Sequence, residues 1–278
     1  MIIYITSRKF YEEIKKELNE KYDIKEDKII TTNDVLGIPI NIEEIRDTWV
    51  IKKLLEIEGG KIILDAGAGE MKYAKYCKHL KYIAQDFGKY DPHKDNRGFQ
   101  MTKWDTSACN ITCDIIDMPL ERGSIDAIMC TEVFEHIKNP VLALKEFNRV
   151  LKNEGILLLT APVCSLTHMA PYYYYNGFSL YWYREHLREN GFEIIEIKEY
   201  GNYFKFLCQE MSRIQAISER YCDYQLQDED YNCIYKSMSL LSRLADMDQG
   251  SNEILCFGYM TLAKKNRRNR KLKICMRL

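Results

Sequence analysis

The sequence predicts an α/β protein whose core is a mostly parallel sheet with helices on both faces. Three observations carry this. From residue 61 onward, short apolar runs alternate with segments of helical periodicity. The run Ile156-Leu157-Leu158-Leu159-Thr160 is apolar toward both faces, as in strands covered from two sides. Finally, Lys61 to Asp65 reads as a buried strand that delivers an aspartate into the turn Ala66-Gly67-Ala68-Gly69, where glycine lets the backbone turn tightly against a ligand.

The composition sets the frame. With 278 residues, 46% hydrophobic and 29% charged, the chain can form one large domain with additions, and global disorder is excluded. A net charge of −1 gives no bulk attraction to nucleic acid or to an acidic membrane. The N-terminus lacks the basic leader and cleavage site of a signal segment, and no apolar run has the length of a membrane span. Ten cysteines are scattered, and Cys109/Cys113 has no second Cys/His pair beside it. Reduced thiols, a cytoplasmic location and no metal site are therefore expected.

The elements follow in order. Residues 1–5 read as a short strand, and Phe10 to Lys21 as a helix with apolar positions 10, 11, 14 and 18. Residues 24–42 look irregular, and Ile42 to Glu58 forms a helix stopped by Gly59-Gly60. After the first sheet strand a helix is expected over about 70–79. Strands follow at Leu80–Asp86, Ile111–Asp114, Ser124–Thr131 and Gly155–Pro162, with a helix at Pro140–Leu151. Ser179 suits the N-cap of a helix over 180–190 ended by Gly191, and Phe192–Lys198 pairs with Ile254–Ala263 as a last strand pair. The resulting division is an N-terminal helical extension over 1–44, a main domain over 45–263 and a basic tail over 264–278. Within the main domain, 203–250 is a polar helical insertion. Its apolar spacing (Phe204, Phe206, Leu207, Met211, Ile214, Ile217; Leu240, Leu241, Leu244) suits core packing, a homodimer contact or a substrate lid. The tail holds eight Lys/Arg and no acid, which reads as a solvated end or a peripheral contact with an anionic membrane. No aromatic residues interleave with these charges, so nucleic acid is not the expected partner.

The glycine turn differs from the dinucleotide fingerprint, which needs a glycine where Lys72 stands. A second acid, Asp86, ends the strand Tyr82-Ile83-Ala84-Gln85-Asp86, where a carboxylate can accept both ribose hydroxyls. Then come Cys113-Asp114-Ile115-Ile116-Asp117-Met118-Pro119, the run Ser124 to His136 ending Thr131-Glu132-Val133-Phe134-Glu135-His136, and Val150-Leu151-Lys152-Asn153-Glu154-Gly155 leading into the fifth strand. In this order and spacing the chain resembles the class I S-adenosylmethionine-dependent methyltransferases, and more narrowly their small-molecule, methyltransferase type 11-like branch. The resemblance spans roughly residues 45–200, with a further match over 254–263, and departs at Met71, where many relatives carry a third glycine.

The resemblance implies a Rossmann-like seven-stranded sheet and S-adenosyl-L-methionine as cofactor, leaving as S-adenosyl-L-homocysteine. By the same resemblance Asp65, Ala66, Gly67 and Gly69 line the methionine end, Asp86 holds the ribose and Phe87 covers one adenine face. Asp114 meets the adenine amino group, Ile115 lies beside the ring, and the backbone of Thr131 contacts the amino-acid part. The plainer alternatives are a turn cap for Asp114 and a core role for Phe87, while Asp117 and Asp126 read as structural.

Transfer from a sulfonium to an oxygen gains from a base that removes the acceptor's proton. The loop after the fifth strand, Ala161 to Phe178, is the place to look, and His168 is the expected base. His136 orients the turn after the fourth strand and borders the acceptor. Glu135 precedes it, but neighbours on a helix diverge by about 100°, so a shared metal site is not expected. Tyr172 and Tyr175 offer aromatic faces with hydroxyl tips that suit a sugar ring. The run Ser165-Leu166-Thr167-His168-Met169-Ala170-Pro171-Tyr172 is similar to loops of methyltransferases associated with bacterial surface-polysaccharide genes. The expected activity is O-methylation of a sugar, sugar phosphate or nucleotide sugar. N-methylation of an amino sugar or small amine, and a non-catalytic cofactor-binding scaffold, are the competing readings. Methylation of a nucleic-acid base is disfavoured, because the Asp/Asn-Pro-Pro-Tyr signature is missing.

Overall fold

The computed structural model describes residues 3–5, 16, 20, 21, 29–31 and 42–267. Its described residues form two compact units: 43–200 with 257–267, and 201–256 with the described residues up to 42. Within the second, β1 (Ile3–Ile5) pairs in parallel with β2 (Ile29–Thr31). β2 falls in the stretch expected to be irregular. Most of the helix expected over Phe10 to Lys21 lies outside the described residues.

The larger unit opens with α1 (Ile42–Leu55) and β3 (Ile62–Ala66). There follow β4 (Lys81–Asp86), β5 (Ile111–Thr112), β6 (Ile125–Thr131), α2 (Pro140–Val150), β7 (Leu151–Pro162), α3 (Leu180–Glu189) and β8 (Phe192–Tyr200). After the inserted helices α4 (Tyr203–Tyr221) and α5 (Asp228–Asp246), β9 (Gly258–Lys265) closes the sheet. The strand order is β5-β4-β3-β6-β7-β9-β8. The five strands from β5 to β7 run parallel, and β9 inserts antiparallel between β7 and β8.

The sheet follows from its residues. Ile63, Leu64, Ile128, Met129, Leu157 and Leu159 are fully buried, the apolar runs providing the core. Register sets Asp65 beside Ala84 and Met129, and Thr131 beside Thr160. The carboxyl ends of β3, β4, β6 and β7 therefore come to one edge, where ligands bind in open α/β sheets. Asn139 caps α2, accepting from the Leu142 amide, with Pro140 at the first helical position. Ser179 caps α3 through the Trp182 amide, and Gly191 follows it at φ +80°.

Several expectations need correction. The segment over 70–79 is a series of tight turns with a 3₁₀ turn at Ala74–Tyr76. Met71 sits at φ +55°, outside helical space, and the backbone bonds there link residues three apart. No α-helix lies between β4 and β5 either, and among the described residues the α-helices of the larger unit are α1, α2 and α3. Residues 254–256 precede the last strand, with a 3₁₀ turn at Ser251–Glu253 before them. The first two lysines of the expected tail belong to β9. Lys265 is buried, and its Nζ donates to the Leu151 carbonyl at 2.6 Å. Residues beyond 267 lie outside the described ones.

The inserted helices have a small core of their own. Cys208 and Met238 are buried between α4 and α5, with Met211, Ile234 and Leu241 packed against them. Asn202 caps α4 through the Lys205 amide, while Gln227 and Asp230 form a capping box on α5. Leu240 and Leu244 of the same apolar set face outward. No helix of the described residues is long and apolar enough to cross a membrane.

Candidate functional site

The turn after β3 is shaped by two carboxylates and two glycines. Gly67 adopts φ +80°, and a Cβ there would stand 2.5 Å from Val133 Cγ2. The amides of Gly67 and Ala68 both donate to the Gln85 carbonyl at 2.9 Å, tying the turn to β4. Gly69, at φ +51°, donates its amide to Asp86 Oδ2 at 2.9 Å, and Asp86 Oδ1 accepts from the Gly88 amide at 2.8 Å. Asp86 thus fixes the turns after both strands. Each of its oxygens keeps a second lone-pair direction for a ligand hydroxyl. The Gly67→Ala variant is expected to lose several °C of melting temperature and most cofactor affinity, because the strained φ and the Val133 clash act together. Thermal unfolding with and without cofactor checks this.

Asp65, one strand position before Ala66, is buried and receives the Tyr82 hydroxyl on Oδ2 at 2.6 Å. Burial pushes its carboxyl pKa up to about 7; the Tyr82 bond opposes this and the charge of Asp86 adds to it. Ala66 is fully buried. Phe87 is half-buried, meets Tyr172 edge-on with centroids 5.4 Å apart, and lies under Lys89 Nζ. Asp114 is exposed and its Oδ1 accepts from the Ile116 amide at 3.2 Å, so the turn-cap role is realised there, while Ile115 is buried beside it. Asp126 is structural: Oδ2 accepts from the Ile62 amide and pairs with Lys152 Nζ.

Beyond β6 the chain turns sharply. Thr131 lies opposite Thr160, and Glu132 adopts φ +54°. Glu132 Oε1 accepts from Thr160 Oγ1 at 2.8 Å, and Oε2 faces Arg46 Nη1 of α1 at 3.4 Å. A 3₁₀ turn over Phe134–His136 then presents Glu135 and His136 together. His136 Nδ1 is 2.6 Å from the Tyr172 carbonyl, and the His136 and His168 rings meet edge-on with centroids 4.7 Å apart. His168 Nδ1 lies 2.8 Å from the Leu166 carbonyl, and its ring is 5.1 Å from that of Tyr173. Burial, then the neighbouring His168, pushes the His136 pKa down to about 4. Glu135 is buried with no partner on Oε2, and burial, then the charge of Glu132, raises its pKa well above the usual carboxylate range. Tyr174 and Tyr175 bond their amides to the Glu135 carbonyl, and the Tyr175 ring stays partly exposed.

Glu135, His136 and His168 each bring a ligand-type atom within 4.8 Å of the others, because the tight turn and the folded-back loop override the divergence of helical neighbours. Arg46, Glu132, Val133 and Trp104 were not foreseen as site residues. Trp104 stands over Gly69, its ring 3.1 Å from where a Cβ would be, and it comes from a stretch without periodicity. The same stretch meets the His168 loop through Phe99, whose backbone pairs with Thr167 and Met169.

Residues 64–159 match the family model described as a methyltransferase domain. No curated protein matches the chain. Among solved structures, the chain is similar to an S-adenosylmethionine-dependent methyltransferase from Archaeoglobus fulgidus (17% identity, TM-score 0.49, covering 81% of this chain and 94% of that one). It is also similar to the [4+2]-cyclase SpnF (16%, 0.48, 81% and 80%). A third is the Haemonchus contortus phospholethanolamine N-methyltransferase 2, solved with phosphomonomethylethanolamine and S-adenosylhomocysteine (17%, 0.43, 85% and 58%). At these identities and scores the likenesses say nothing of the acceptor. The match over residues 64–159 is to a methyltransferase domain, and it supports S-adenosylmethionine as the cofactor.

Proposed function

We propose that the enzyme transfers the cofactor's methyl group to an oxygen of a small polar acceptor in the cytoplasm. The acceptor is a sugar, sugar phosphate or nucleotide sugar used in surface glycan synthesis. The observation that carries the reading is the cluster of His136, His168 and Tyr173 joined through Tyr172 to Phe87, next in the chain to Asp86. In this reading Asp65, Ala66, Gly67, Gly69 and Thr131 receive the methionine end, Asp86 the ribose, and Phe87, Asp114 and Ile115 the adenine. With Nδ1 donating to the Leu166 carbonyl, His168 carries its lone pair on Nε2, the atom that accepts the acceptor's proton. His136, Tyr172 and Tyr175 position the sugar ring. The methyl passes from sulfonium sulfur to oxygen in line, so alignment supplies much of the rate. Replacing His168 and reading turnover on sugar nucleotides tests the assignment.

Asp65 gives this reading a pH signature. The ionised carboxylate favours the cofactor's ammonium and sulfonium charges, and the group titrates at about 7. Cofactor affinity is expected to rise about tenfold per pH unit up to that point and to level off above it. Calorimetry in two buffers of different ionisation enthalpy should show proton release at pH 6 and almost none at pH 8.5. In the unliganded fold the sign is opposite. The raised pKa contributes stability below the carboxyl's ordinary value of 3.8, lost as pH rises through about 7. Asp65→Asn should remove both dependences.

A further inference from the structure

We infer that Glu135, His136 and His168 form a binding site for a divalent transition-metal ion. One donor atom from each lies within 4.8 Å of the other two. The imidazoles are oriented as ligands are. His136 Nδ1 bonds to the Tyr172 carbonyl at 2.6 Å and His168 Nδ1 to the Leu166 carbonyl at 2.8 Å. Such bonds place the ring proton on Nδ1 and turn Nε2 into the donor, the outer support that metal-bound histidines carry. His136 Nε2 is already 3.8 Å from Glu135 Oε1.

The second, independent observation is Glu135 itself. It is 2% exposed, and its Oε2 has no hydrogen-bond partner. Buried carboxylates are ordinarily matched by donors or a cation. The nearby acid Glu132 is engaged by Thr160 and Arg46. A cation between Glu135 and the two histidines supplies what Glu135 lacks. Zinc bonded at about 2.1 Å to tetrahedral ligands holds them about 3.4 Å apart, so an ion draws this cluster inward by roughly an ångström.

The donor set selects the metal. Two imidazoles and one carboxylate suit Zn²⁺, Co²⁺, Mn²⁺ or Fe²⁺, whereas Mg²⁺ and Ca²⁺ prefer all-oxygen shells. Three protein ligands leave coordination positions open, as in catalytic rather than structural sites. If the O-methylation reading holds, a bound ion would supply a Lewis acid that eases release of the acceptor hydroxyl's proton to solvent. His168 is then a ligand in the loaded protein and the base in the metal-free one. Binding itself does not rest on that reading.

The test is a titration of the chelator-stripped full chain with Co²⁺, followed by absorbance, and calorimetry with Zn²⁺ and Mg²⁺, all without cofactor or acceptor. The site predicts one tight equivalent with visible d–d bands and no strong near-ultraviolet thiolate band, which separates it from the chain's free cysteines. Zn²⁺ should bind at least a hundredfold tighter than Mg²⁺. Glu135→Gln and His168→Ala, each checked for native circular dichroism and cofactor binding, should weaken the metal by a hundredfold or more. No saturable binding by the folded wild type would overturn the site, as would binding that both variants leave intact or that shows thiolate bands. Intact metal binding without any methyl transfer would count against the proposed function and leave the site standing.

Discussion

Asp86→Ala weakens binding of both S-adenosylmethionine and S-adenosylhomocysteine by tenfold at the least, and by about a hundredfold if both ribose hydroxyls bond to it. Hydrogen bonds to a charged group contribute about 1.5–3 kcal/mol each, and 1.4 kcal/mol is a factor of ten. The carboxylate also holds the turns on either side of the site, accepting from the Gly69 and Gly88 amides. Removing it leaves those amides without their partner, so part of the loss comes from the glycine turn. Asp86→Asn keeps the size and one acceptor oxygen, and should fall between the wild type and alanine. Calorimetric titration of the three proteins gives the ranking. Equal affinity for wild type and Asp86→Ala would remove Asp86 from the cofactor site.

In the metal-free enzyme His168→Ala lowers kcat by about 10²–10⁴ on an oxygen acceptor, the range for losing a general base. Cofactor affinity should change little, since the residue stands on the loop after β7 and the glycine turn follows β3. The combination separates the competing readings. An amine acceptor needs only to be neutral, so N-methylation predicts a loss of less than about tenfold for the same variant. A non-catalytic scaffold predicts cofactor binding with no turnover in either protein. Single-turnover measurements with preloaded cofactor separate chemistry from product release.

What could be read in the sequence was local chemistry. The strand end at Asp65, the glycines after it and Asp86 at the end of β4 are each announced by residue type, while the bond from the Gly69 amide to Asp86 Oδ2 is visible only in the structure. The ends of α3 were legible because Ser179 and Gly191 act within a few residues of themselves. The segment over 70–79 misled because its buried residues, Tyr73, Cys77 and Leu80, are spaced as on a helix yet serve a chain of tight turns equally well. Ile29–Thr31 is too short to carry a period. Trp104 and Phe99 reach the site from a loop with no pattern, so only tertiary folding puts them there. The grouping of Glu135, His136 and His168 is likewise non-local: two come from the turn after β6 and one from the loop after β7.

The most direct measurement supplies methyl-labelled S-adenosylmethionine with sugar phosphates, sugar nucleotides and their amino-sugar counterparts, and locates the label by mass spectrometry. O-methylation predicts a labelled methyl ether on a hydroxyl of the sugar, formed by wild type and nearly lost in His168→Ala. Label confined to nitrogen, or no transfer to any acceptor by protein that binds the cofactor, would contradict it.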